Sequence, residues 1–538
     1  MRIIAIICFF FSGASALVFQ VVWTRLFSLV FGTSTLAIST VLTAFMGGLA
    51  LGSYLAGRLA DRLRDPLRVY ALAEFGVGVC ALLLPLVVAT FNGANQYIYQ
   101  HFQQNYILLA GIRFVLSASV ILIPTTLMGA TLPFLSRYFV QTKAEHAQVG
   151  MRVGTLYAIN TSGAVLGALL GGFILLPELG LQLTNKLAAG TNFGLAILVA
   201  IAYWVRRFRP LLSQVDQEIS ELMIQVATES IVKPDVNRRA QSTTLVAFAF
   251  SGAAAMIYQV IWSRALSMTI GSSVYSFTIV LVTFLIGLAG GAAVVGKMVS
   301  KSRNPVGLLA LNHLALAFMV GISYLLTDKL SLIYLFLMQG NTMDATHILW
   351  RQFFLAMLII LPATFAMGAT MPLTIRICVP FLKSVGRSVG TVYSVNTVGA
   401  ILGSFAAGFL VIPFLQLQGG IFAAVCINLG IAALLGCLAS WDRKMKVAIP
   451  LVALSMVIAG YLLPRWDLYN LSLGVFRPTI ARDAMHSAWE RPKLIYYHDG
   501  ISTTVSVEQW SSKQYSLKNN GKVDASTGDD MPTQIAVG

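Results

Sequence analysis

The 538 residues are 57% apolar and 11% charged, against roughly 25% charged in an ordinary soluble domain, which excludes a water-soluble globule. The net charge of +16 is not a nucleic-acid signature, because the basic residues fall in short clusters between apolar runs, as in cytoplasmic loops of membrane proteins. The five cysteines lie in or beside apolar segments without paired spacing, which argues against a disulfide framework or a zinc site.

The chain opens with MRIIAIICFFFSGASA, which has the form of a secretory signal with an Ala14-Ser15-Ala16 cleavage site. The same string returns as FAFSGAAAMIYQVIW deep in the sequence, so the first helix is expected to be retained. A shift of 239 residues lays SGASALVFQVVWTR (12–25) over SGAAAMIYQVIWSR (251–264). Ser12, Gly13, Gln20, Trp23 and Arg25 fall on Ser251, Gly252, Gln259, Trp262 and Arg264. Further on, IPTTLMGATLP answers LPATFAMGATMP, and GTLYAINTSGAVLG (154–167) answers GTVYSVNTVGAILG (390–403).

Apolar runs of bilayer-spanning length predict six spans in the first repeat (1–205) near 3–23, 35–57, 69–91, 110–138, 150–177 and 184–205. A linker (206–243) follows, and the second repeat (244–440) places spans near 244–262, 273–297, 306–326, 352–378, 386–413 and 418–440. Basic residues follow every second span: Arg58 to Arg68, Arg137 and Lys143, Arg206 to Arg209, then Lys297 to Arg303, Arg376 to Arg387, and Arg443 to Lys446. This bias predicts a cytoplasmic N-terminus and a cytoplasmic linker. Because each repeat has an even number of spans, the two point the same way. The expected fold is an all-α polytopic membrane protein of two parallel six-helix repeats, twelve or thirteen transmembrane helices, followed by a short β-rich soluble segment. Gly48, Gly52 and Gly57, like Gly163, Gly167 and Gly171, lie on neighbouring turns, the spacing that lets helix backbones approach closely in lipid.

Ionisable groups at membrane depth mark function more sharply than anything else there. Glu74 is the one acidic residue within the twelve spans, and its repeat mate is His313. The two are read as a proton-coupling pair across the pseudo-twofold axis or as groups hydrogen-bonded to neighbouring helices. Asn160 and Asn396 are the other paired polar positions, read as interhelical contacts or a substrate site. Arg25 and Arg264, beside Trp23 and Trp262, are read as interfacial anchors. The scarcity of intramembrane carboxylates speaks against polycation transport.

Residues 441–463 hold a thirteenth apolar run. If it crosses the bilayer, the tail is periplasmic; if it is re-entrant, the tail is cytoplasmic. The tail (464–538) changes character: STTVSVEQW alternates as a strand, and Asn520-Gly521 is a hairpin-turn signal.

The SG-x-x-AL opening, FMGGLALGSYLAGRLADR, the duplicated GT-x-Y-x-x-NT-x-GA-x-x-G string and the tail YYHDGISTTVSVEQ…LKNNGKVDASTGDDMPTQ resemble bacterial fused major-facilitator/spermidine-synthase-like proteins. GRLADRLRDP (57–66) resembles the loop between the second and third helices of major facilitators. Its second-half copy, GKMVSKSRNP (296–305), replaces Asp61 with Ser300. The resemblance implies a bacterial inner-membrane location and a β-domain leading into an aminopropyltransferase module that uses decarboxylated S-adenosylmethionine as substrate. The sequence is expected to stop before the Rossmann-like part of that module, so no catalytic residue and no cofactor is assigned to it. By resemblance Gln534 and Asp530 contact substrate, while Thr533 stands where such enzymes carry Tyr. Three functions follow: the membrane portion of a fused enzyme linked to polyamine synthesis, a small-molecule transporter, or a membrane anchor. The expected partners are the lipid bilayer and a small molecule, not nucleic acid.

Overall fold

A computed structural model describes residues 1–31, 35–102, 106–208, 237–299, 302–338, 344–477, 491–528 and 531–537. Nearly all of the described residues up to Tyr461 are helical, as lipid demands of a backbone whose polar groups have no water to bond. The first repeat comprises α1 (Arg2–Phe31), α2 (Thr35–Ala60), α3 (Pro66–Phe102), α4 (Tyr106–Phe139), the short α5 (Lys143–Ala147), α6 (Val149–Leu170) and α7 (Leu176–Phe208). The second comprises α8 (Arg238–Ile270), α9 (Val274–Val299), α10 (Pro305–Thr327), the short α11 (Leu330–Met338), α12 (Ala345–Cys378), α13 (Val385–Ala406) and α14 (Ile412–Leu438). The second repeat therefore begins at Arg238, inside the expected linker. A turn of π-helix follows α6 (Gly171–Leu175) and, at the matching place, α13 (Ala407–Val411).

Contacts between helices fix their directions. Gly163, Gly167 and Gly171 of α6 and its π turn meet Phe10, Ala14 and Val18 of α1, so α6 runs alongside α1 in the same sense. Tyr203, Asn192 and Asn185 of α7 bond Asp65, just before α3, and Glu74 and Ala81 within it, in reverse order, so α7 returns. The reversal is made at Gly180, near the beginning of α7, where the backbone is not helical. Small residues set the close crossings: a Cβ added at Gly52 or at its mate Gly291 would lie 1.8 Å from the carbonyl oxygen of Thr126 or Phe365. The halves meet where α2 packs on α13 and α6 on α9, and a core cluster at the basic-loop end draws on both, from Tyr70 and Phe134 to Val389 and Leu435.

The thirteenth apolar run is α15 (Arg443–Tyr461). Ile449 lies against Gly436 near the end of α14, and Tyr461 reaches Phe422 near its beginning. The helix thus crosses back antiparallel to α14, with one face on Leu314, Leu429 and Ala432 and most of its surface open to lipid. Beyond it, a short turn α16 (Leu468–Leu471) leads to an antiparallel meander β1 (Lys493–Asp499), β2 (Thr504–Gln509), β3 (Tyr515–Asn519) and β4 (Lys522–Ser526). The β3–β4 turn is the expected Asn520-Gly521, both at positive φ, 48° and 77°, as a two-residue hairpin requires. A final helix, α17 (Met531–Val537), lies beside β4.

Candidate functional site

At the basic-loop end the two halves are sealed together. Ser394 Oγ donates to the Ala50 carbonyl at 2.8 Å, and Gly57 abuts Gly386 closely enough that a Cβ would lie 2.7 Å from its oxygen. The Asp61 carboxylate accepts from the backbone N–H groups of Gly386 (2.9 Å) and Arg387 (2.8 Å) at the start of α13. A carboxylate at a helix N-terminus satisfies otherwise unbonded donors and complements the helix dipole. Arg137 pairs with Asp61 at 3.7 Å and donates to the Leu382 carbonyl, and Arg376 bonds the Ala147 carbonyl across the interface. Beside this junction Glu145 closes the α5 capping box and pairs with Arg2 and Arg152. Burial pushes the Glu145 carboxyl up, but the Gln141 N–H and the two guanidinium groups outweigh it and hold the pKa below its ordinary value.

Above the seal, a cavity of about 130 Å³ lies on the pseudo-twofold seam. Ser12, Gln20, Tyr157 and Asn160 supply its polar wall, Phe45 and Met128 part of its apolar wall, and Tyr393 comes from the second half. Asn160 is held in place by its Nδ2 donating to the Phe9 carbonyl at 3.1 Å, and its backbone presses on Gly13. Its mate Asn396 presses likewise on Gly252, so the first asparagine both glues helices and faces the cavity.

Glu74 and His313 are each set against an asparagine of their own half. Asn192 Nδ2 donates to Glu74 Oε2 at 2.9 Å, and His313 Nδ1 lies 2.9 Å from Asn428 Oδ1. Asn428 in turn donates to the Tyr258 hydroxyl at 3.0 Å. Asn192 and Asn428 are themselves repeat mates, so each half carries one buried pair between its third and sixth long helices. Both titratable groups are about 1% exposed. Ser12, which lines the cavity, and Tyr70 stand beside the Glu74 carboxyl.

The tail packs on the second half at the end opposite the basic loops. Arg264 donates to the carbonyls of Gly500 (2.7 Å) and Ile501 (2.6 Å). Asp499, 1% exposed, accepts from Leu417 N–H (3.1 Å), the Tyr497 hydroxyl (3.0 Å) and the Thr504 hydroxyl (2.7 Å). Trp466 Nε1 donates to the Tyr324 carbonyl, and the Asn520-Gly521 turn presses on Gly474 and Met268. The run before the tail therefore crosses the bundle, and Arg264, expected as an interfacial anchor, is a clasp for the tail. Of the two positions drawn from the enzyme resemblance, Gln534 is half-buried on α17 and Asp530 lies outside the described residues. Among the described residues no group of three or more His, Cys, Asp or Glu is placed to hold a metal ion.

Ten described stretches are long and apolar enough to cross a membrane, and two of them, Val149–Val205 and Leu382–Leu438, contain the reversals. The family profile described as Major Facilitator Superfamily matches residues 4–353. The chain belongs to the Major Facilitator Superfamily. Among solved structures of this superfamily, the proton:xylose symporter XylE bound to 6-bromo-6-deoxy-D-glucose is 13% identical, with a TM-score of 0.46 over 80% of this chain and 93% of that one. The human organic anion transporter MFSD10 is 15% identical, with a TM-score of 0.47 over 81% and 99%. Polyamine aminopropyltransferase 1 of Streptomyces coelicolor is 26% identical over 208 residues, 38% of this chain and 35% of that protein. Polyamine aminopropyltransferase 2 of Aquifex aeolicus is 26% identical over 202 residues, 38% and 37%. The match spans little more than a third of these curated relatives.

Proposed function

We propose that this superfamily member carries a small, uncharged, hydrogen-bonding molecule through the central cavity. The observation that carries the reading is the cavity wall, where hydroxyl, amide and phenol groups converge and none of the described lining side chains is charged. A charged solute there would lose its water without gaining an opposite charge, which is costly at membrane depth. Orientation follows from the basic loops: the sealed end faces the cytoplasm of a bacterial inner membrane and the tail lies outside. Coupling to protons falls to Glu74, because Ser12 stands between its carboxyl and the cavity. Liposomes containing the full chain should exchange a radiolabelled neutral polyol, sugar or amide above protein-free controls, and Gln20→Ala should lower that exchange. Glu74→Gln should abolish flux driven by a pH gradient while leaving exchange intact. If only charged solutes move, or none does, the proposal fails.

The reading as the membrane portion of a fused spermidine-synthase-like protein has the tail motifs and the two aminopropyltransferase matches in its favour. Against it stands the docking of the tail at the end opposite the basic loops, since decarboxylated S-adenosylmethionine is a cytosolic nucleotide. The transport reading accounts for the cavity as well as the family.

A further inference from the structure

Each half buries one polar pair between its third and sixth long helices, and only one of the two pairs is closed. In the second half His313 meets Asn428, and Asn428 donates to the Tyr258 hydroxyl. None of the buried side-chain atoms that lack a hydrogen bond belongs to these three residues. In the first half Asn192 commits its Nδ2 to Glu74 Oε2 at 2.9 Å. That leaves Glu74 Oε1, Asn192 Oδ1 and the Tyr70 hydroxyl buried without a hydrogen bond, in residues 1%, 2% and 0% exposed. Tyr70 lies one turn before Glu74 on α3, so the two share a helix face, and Ser12 of α1 adjoins both. In the second half the place of Tyr70 is taken by Leu309, so the extra oxygen belongs to the first half alone. Buried acceptors without a donor are costly, and the second half shows that this helix pair can satisfy its own groups.

We propose that Glu74, Asn192, Tyr70 and Ser12 form a sodium-ion site, at which the ion displaces the proton of the Glu74 carboxyl. The ligands are Glu74 Oε1, Asn192 Oδ1 and the two hydroxyl oxygens. An all-oxygen set suits a hard cation rather than a transition metal. One carboxylate balances one positive charge, whereas a divalent ion would leave a net charge at membrane depth. A proton joins two oxygens at most, while a metal ion satisfies all four. Among the described residues, the titratable groups beside the carboxylate are Tyr70 of α3 and Cys8 of α1, neither of them basic. Ser12 also lines the central cavity, which gives the ion its way in. The inference rests on the transport reading for what the ion does, which is to couple to the solute, and not for its binding.

The probe is radiolabelled sodium ion, measured by scintillation proximity with the full chain in lipid nanodiscs at neutral pH. Saturable binding is expected, with potassium a weaker competitor by about tenfold or more, since a closed pocket selects by ion size. Binding should weaken as pH falls, by at most about tenfold per pH unit for one competing proton. Glu74→Gln removes the charge and should abolish saturable binding. Tyr70→Phe deletes a hydroxyl that has no hydrogen bond, which costs the fold nothing. It should weaken binding by about tenfold and stands in if the Glu74 variant does not fold. Ser251→Ala, at the place matching Ser12 in the second half, should leave binding unchanged. Sodium binding without solute flux upholds this site and removes the transport reading, while flux without sodium binding does the reverse. Absence of saturable binding to the folded chain, equal competition by potassium, or indifference to both Glu74→Gln and Tyr70→Phe overturns the proposal.

Discussion

The outer ends of the two halves share a fold and differ in what fills it. In the second half, Gln416 holds a conformation that is almost glycine's alone, and the tail holds Gln416: its amide group lies 3.2 Å from His498 Nδ1, and its oxygen accepts from the Asp499 N–H at 3.3 Å. In the first half the same dihedral angles fall on Gly180, with nothing within 4 Å of where a Cβ would stand. A strained backbone can be kept by glycine alone or by a side chain that outside contacts over-determine, and this molecule uses one solution in each half.

That comparison can be broken in several ways. The largest effect falls where the halves are alike: a Cβ at Gly163 or Gly399 would lie 1.8 or 1.9 Å from a carbonyl oxygen of Phe10 or Ala249. Gly163→Leu and Gly399→Leu should each abolish the monodisperse, folded species in size-exclusion chromatography; a variant that folds in one half only would refute equivalent packing. Next comes Asp499→Ala, which orphans a buried N–H and two hydroxyls and should cost on the order of 3 kcal/mol, read as protease cleavage in the tail while the helices stay protected. Gly180→Ala should cost roughly 1–3 kcal/mol through strain alone, lowering the melting midpoint, whereas Gln416→Gly trades strain relief against two lost bonds and should shift it less. The smallest effect concerns Glu145. Its pKa is lowered in the folded protein, so its contribution is complete above the ordinary carboxylate value and is lost as pH falls through the lowered one. Melting midpoints from neutral pH to about pH 3 should therefore drop more steeply for the native chain than for Glu145→Gln.

Spans, glycine crossings, the repeat and the Asn520-Gly521 turn were all legible in the amino-acid pattern, because each rests on local periodicity or on identical strings. The partners of Glu74 and His313 were not. Asn192 and Asn428 fall into register at a shift of 236 residues, where NFGLAIL (192–198) answers NLGIAAL (428–434), but nothing in those strings says which side chain of another helix each asparagine meets. Asp61 stood out as a motif residue, but its role at the start of α13 joins positions 325 and 326 residues apart. Asn160 was expected as a contact or a site; it makes the contact and lines the cavity, while Tyr393 gave no sign of facing a cavity. Which end of the bundle the tail meets was open because a run as short as α15 sits at the lower limit for crossing. What decides it is tertiary: Ile449 beside Gly436 at one end, Tyr461 beside Phe422 at the other.

The clasp between Arg264 and the Gly500–Ile501 turn has a consequence for how the protein is made. The guanidinium leaves the ribosome more than two hundred residues before the carbonyls it will hold, and those carbonyls reach it only after α15 has been threaded through the bilayer. Docking of the sheet therefore requires that the helices up to α15 already stand in the arrangement that brings Arg264 and the end of α15 together. A chain with one helix inserted backwards would present the sheet to the wrong compartment and leave Arg264, Gln416 and the Leu417 N–H exposed, a defect that surveillance proteases could recognise.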